Sequence, residues 1–194
     1  MLQRTASHAA STSARVRPSQ VEDRRAESTR LFPTKNDLPE AARSRIADLL
    51  NQRLADCIDL QTQCKQAHWN VKGQSFIGLH KLFDDVNEDV EGYVDLLAER
   101  VVQLGGRAQG TARSVAGRST LPDYPSRITS GEEHVDALSS ALATFGAGTR
   151  RAIQQADELQ DDDTADILTE ISRAVDKWLW FVEAHLQGVT GRGR

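Results

Sequence analysis

Apolar side chains recur at three- and four-residue steps through four long stretches between Pro39 and Gly188, and almost nowhere in strict alternation. In the first, Ile46, Leu49, Leu50, Leu54, Cys57, Ile58 and Leu60 mark one helical face. Pro39 suits the first helical position, and Lys72-Gly73-Gln74 breaks the pattern after about Val71. The second runs from near Ser75 to Leu104, with Leu79, Phe83, Val86, Val90, Val94, Leu97 and Val101 as its core stripe. Gly105-Gly106 stops it. Ser130 and Glu133 form a capping-box signature for a third helix, about Gly131 to Leu159. Asp161-Asp162-Asp163-Thr164 opens a fourth, which ends near Gly188 and turns Ile167, Ile171, Val175, Leu179 and Val182 inward. Arg107 to Thr129 is too long for a plain turn, so it crosses the length of the fold, with a short helix over Thr111 to Ala116. These elements predict an all-α four-helix bundle with one long crossover between helices two and three.

Composition narrows the class. Hydrophobic residues make up 39% of the 194 and charged residues 27%, enough for a core inside a well-solvated surface. No apolar run is long enough to span a membrane, and no apolar stretch behind Met1 suggests a secretory signal. Cys57 and Cys64 are two helical turns apart, roughly 10 Å, beyond disulfide reach, and read as buried thiols of a reducing compartment. Charge is uneven. Seven cations and three acids up to Lys35 leave that segment at +4 within a chain of net −4. Residues 1–37 therefore read as a flexible basic tail, 38–188 as the folded domain and 189–194 as a short basic end. The tail is either a solubilising segment or an electrostatic DNA contact through Arg4, Arg15, Arg17, Arg24 and Arg25. Its Arg- and Ser-rich start also resembles an organelle transit peptide.

Helix two carries two i, i+4 pairs, His80 with Asp84 and Asp95 with Glu99, all on one face. That face points roughly 140° from the core stripe, at ~100° per residue. Asp84 and Asp95 are roughly 16 Å apart along the axis, so one chain cannot bring both pairs to one ion. An antiparallel second copy across a two-fold axis does, and it does so twice. His68, near the end of helix one, folds back towards the same end as His80. Imidazole and carboxylate together suit iron, manganese or zinc rather than calcium. The competing reading is a solvated polar face; two histidines converging from separate helices weigh against it.

Gln66-Ala67-His68-Trp69-Asn70-Val71-Lys72-Gly73, Phe76-Ile77-Gly78-Leu79-His80-Lys81-Leu82-Phe83-Asp84 and Asp95-Leu96-Leu97-Ala98-Glu99-Arg100 resemble the Dps family of mini-ferritins, as do Asp161 to Leu168 and Asp176 to Leu186. The resemblance covers about residues 38–188. It implies a ferritin-like four-helix bundle assembled from two-fold dimers into a hollow homo-dodecamer. It also implies a ferroxidase centre of His68, His80, Asp84, Asp95 and Glu99, at which Fe(II) is oxidised by hydrogen peroxide or oxygen and stored as ferric mineral. Larger ferritins use Glu-x-x-His motifs inside one bundle, and this sequence has none. By the same resemblance Asp157, Asp162 and Asp166 line a pore for incoming iron, and Trp69 lies near the iron as a candidate electron donor. The implied location is bacterial cytoplasm and nucleoid, with DNA compaction through the tail as the rival role. Outside this set, His134 reads as a surface histidine and His185 as a helix-end or packing residue. Trp178 and Trp180 divide between core and interface in either order, and Asp176 and Lys177 are candidate salt-bridge formers between subunits.

Overall fold

A computed structural model describes residues 31–187. Its helices are α1 (Glu40–Asn70), α2 (Phe76–Gln103), the short α3 (Ala112–Ala116), α4 (Gly131–Glu158) and α5 (Asp162–Glu183). All four long helices stand where the periodicity places them, with α5 ending a turn earlier than expected. α1 packs chiefly on α2 and α4 on α5, and contacts of α1 with α4 and of α2 with α5 join the two hairpins.

The core is the inner faces of these helices, including Ile46, Leu50, Leu54, Leu60, Phe83, Leu97, Leu138, Leu142, Phe145, Leu168 and Ile171, all essentially inaccessible to water. Each such side chain contributes about 1.5–3 kcal/mol relative to exposure. The phase of the stripes differs slightly from expectation. Tyr93 is buried and Val94 only half-buried, while Leu49, Ile58, Ile167 and Leu179 lie at the core margin. Trp178 is the core tryptophan, its Nε1 donating to Asp89 at 2.7 Å, and Trp180 is exposed.

Caps form as the sequence dictates. Ser130 and Glu133 make the reciprocal capping box of α4, and the Asp161 side chain caps α5 by accepting from the Thr164 amide. Gly73 and Gly105 adopt φ of 110° and 84° at the ends of the α1–α2 hairpin, a region that favours glycine. Residues 31–37, expected within the tail, lie against the end of α2: the Phe32 amide donates to the Gly105 carbonyl at 2.7 Å. Residues 1–30 and 188–194 lie outside the described residues, and with them the tail arginines.

The crossover is held along α1 by a polar rail. Asn51 binds the Arg107 carbonyl and the Gln109 amide, Gln52 the Arg118 carbonyl, and Asp56 the Thr120 amide and hydroxyl. Asp59 accepts from Ser119 and Gln63 donates to the Pro122 carbonyl. Lys72 and Thr129 then close the run backbone to backbone. Asp56 is fully buried and paired with Arg53 at 2.8 Å. At the other end of the bundle Arg100, also buried, binds Asp161 at 2.6 Å and Thr164 at 3.0 Å, tying the end of α2 to the start of α5.

His134 corrects the expectation of a surface histidine. It is buried, with Nδ1 2.6 Å from the Tyr124 hydroxyl. The crossover covers the first turn of α4, which an isolated helical pattern does not reveal. Asp176 pairs within the chain, with Arg150 at 2.8 Å, and Lys177 lies over the Trp178 and Phe181 rings.

Candidate metal centre

His68 in the last turn of α1 and His80 in the second turn of α2 face each other across the hairpin turn. Their rings stack with centroids 3.7 Å apart. His68 Nδ1 lies 2.7 Å from the His80 carbonyl oxygen, and His80 Nδ1 lies 2.9 Å from that of His68. A carbonyl only accepts, so each Nδ1 carries the proton. Both Nε2 atoms are thereby left with a free lone pair, the form in which imidazole binds a metal, with the backbone carbonyl as the orienting partner.

Asp84 stands one turn further along α2, its Oδ1 3.8 Å from His68 Nδ1. Lys65, one turn before His68 on α1, donates to the same oxygen at 2.5 Å. That ammonium holds the Asp84 carboxyl below the usual carboxylate range. Lys65 is a member the sequence reading missed. Its place three residues before His68 on one helix face was the available signal.

Asp95 and Glu99 lie exposed on the outward face of α2. Asp95 is eleven residues beyond Asp84, roughly 16 Å of helix. Among the described residues no three His, Cys, Asp or Glu side chains gather closely enough to hold a metal ion. The chain stacks His68 on His80 and sets Asp84 3.8 Å from His68, a partial site only, and carries Asp95 and Glu99 farther along α2. Trp69 points outward next to His68, two-thirds exposed, at the edge of an open groove that Lys65, Asn87 and Tyr124 also line. Asp157, Asp162 and Asp166 are all exposed about the turn from α4 to α5.

The family model of the ferritin-like domain matches residues 47–190. A DNA protection during starvation protein of Agrobacterium fabrum is 46% identical over 154 residues, 79% of this chain and 95% of that protein. The chain belongs to the Dps family of ferritin-like proteins. A second Dps relative carrying the same description, from Mycolicibacterium smegmatis, is 34% identical across 80% of this chain and 84% of its own length. Among solved structures, Mycobacterium smegmatis Dps superposes with a TM-score of 0.75 at 34% identity, covering 80% of this chain and 94% of that one. DpsC from Streptomyces coelicolor gives 0.77 at 31% identity, covering 80% and 91%. The Dps fold thus accounts for the four-helix architecture of the described residues. No helix among the described residues is long and apolar enough to cross a membrane.

Proposed function

We propose that this Dps protein is a ferroxidase and iron store whose sites each need two chains. The observation that carries this reading is the reciprocal pairing of His68 and His80, whose Nδ1 atoms donate to each other's backbone carbonyls and leave both Nε2 atoms for a metal. Asp95 and Glu99 of an antiparallel second copy supply the remaining carboxylates, twice per two-fold dimer. Iron is the substrate. Carboxylates favour the harder Fe(III), and two Fe(II) held together each give one electron to hydrogen peroxide, which takes up two protons and leaves as two waters. Oxygen is the alternative oxidant. Binding iron at Asp84 exchanges the Lys65 ammonium for a dication on the same carboxylate.

Storage of the ferric product calls for a closed shell, the homo-dodecamer that the family resemblance implies. Asp157, Asp162 and Asp166 then focus negative potential on incoming iron about a three-fold axis. A bacterial cytoplasmic, nucleoid-associated protein with this chemistry protects DNA by removing the ferrous iron that turns peroxide into hydroxyl radical. The relatives' description as DNA protection during starvation proteins favours a second reading, a DNA-compacting shell working through Arg4, Arg15, Arg17, Arg24 and Arg25. Twelve weak tails acting together would supply avidity. A salt-dependent gel shift with and without residues 1–35 separates the two.

The decisive experiment is anaerobic loading with Fe(II) followed by peroxide, on wild type and on His68→Ala with Glu99→Ala. Rapid oxidation by wild type alone supports the site. Equal rates in both proteins refute it.

A further inference from the structure

The outward stripe of α2 has apolar ends. Ile77 precedes His80 and Asp84, and Val102 follows Asp95 and Glu99. At ~100° per residue, Ile77, Asp84, Asp95 and Val102 fall within roughly 20° of one another. Among the described residues, Ile77 and Val102 are the only large aliphatic side chains left strongly exposed, at 60% and 59%. Exposed aliphatics scattered singly need no explanation. These two share one face of one helix.

The same helix holds a second unexplained feature. Gly78 and Gly92 lie inside it, where glycine is unfavourable, and nothing in the chain comes within 4 Å of where a Cβ would stand. Intrachain packing does not require either glycine. Close approach by another backbone would.

Pairing His80 and Asp84 with Asp95 and Glu99 of an antiparallel copy sets a register in which facing residues have numbers summing to roughly 179. Ile77 and Val102 obey the same sum. We infer that Ile77 packs on Val102 of a second copy of this chain, twice across the two-fold axis, and that this apolar pair seals the outer end of each two-chain metal site. The inference rests on the two-chain site proposed above. The contact fixes the helix register, and by excluding water it strengthens every charge interaction one turn away.

The test is cross-linking of the assembled protein with a short bismaleimide. Cys57 and Cys64 are fully buried, so wild type gives the background. Ile77→Cys with Val102→Cys should yield covalent dimers. Either single variant should not, because like positions lie roughly 37 Å apart in an antiparallel pair. Absence of dimers from the double variant, or equal cross-linking by a single variant, overturns the inference. An independent check uses charge: Ile77→Lys should weaken two-chain association in sedimentation, and adding Val102→Glu should restore it. Failure of the second change to restore association also overturns the pairing. The two proposals fail separately. Absent cross-links with normal iron oxidation remove the register alone. Cross-links in a protein whose His68→Ala/Glu99→Ala variant oxidises iron normally remove the ferroxidase reading alone.

Discussion

His68 and His80 orient each other through the backbone, each imidazole donating from Nδ1 to the other's carbonyl. Neither ring keeps its aim if the other's peptide shifts. His68→Ala and His80→Ala should each lower metal affinity by roughly 10–100-fold, the scale on which ligands and their orienting partners act. Because the rings also stack, the double variant should lose much less than the product of the single losses. Co(II) titration of the three variants reads this directly, and multiplicative losses would show that the rings act independently.

Asp56 pairs with Arg53 and also holds the crossover by the Thr120 amide. Asp56→Ala leaves a buried guanidinium without its carboxylate and should cost about 3–5 kcal/mol. Urea unfolding at fixed protein concentration measures it. A loss below about 1 kcal/mol, the range of an exposed pair, would mean the rail is dispensable.

His134 is pushed below its ordinary pKa, first by burial; Glu133 and the Asn70 carbonyl oppose that shift, and Tyr124 holds Nδ1. The unfolded chain then binds this proton more readily than the folded one. Stability should fall as pH drops from about 6.5, the unfolded value, through the lower folded one, and should level off beneath it. His134→Gln should flatten that part of the pH–stability curve. An unchanged slope would assign the acid sensitivity to other groups.

Removing charge from Asp157, Asp162 and Asp166 together should slow iron uptake at low ionic strength, with less effect at high salt, where such fields are screened. Stopped-flow uptake kinetics check this, and a triple Asn variant as fast as wild type excludes a pore role.

Trp69 stands exposed beside His68 rather than in the core, and the role to be tested there is electron donation to a stray oxidant. Trp69→Phe should raise the yield of spin-trapped hydroxyl radical during iron oxidation while leaving the oxidation rate near normal. Equal radical yields dispose of that role.

Helix number, order and caps were legible because each rests on local chemistry: the periodicity of Phe83 to Val101, the Ser130–Glu133 box, the Asp161 start. The proposed ligands could be singled out for the same reason, since His80, Asp84, Asp95 and Glu99 share a single helix. What stayed hidden depends on neighbours distant in sequence. Gln52, Asp56, Asp59 and Gln63 form a polar stripe at helical spacing, and nothing local distinguishes a stripe facing water from one facing the chain's own crossover. His134 was misjudged as a surface group because Tyr124 reaches it from that crossover. Lys65 escaped notice because its meaning depends on Asp84, which arrives from the next helix.

The polar rail along α1 has a further consequence. Residues 104–130 form a tether long enough for the α4–α5 hairpin to leave its own α1–α2 hairpin and dock on that of a neighbouring molecule. Such exchange of an identical element is a low-cost route to tangled oligomers. Anchored from Arg107 to Thr129, the tether has no slack to lend. A bundle completed within its own chain offers other copies only its outer surfaces, which is what a closed rather than a tangled assembly requires.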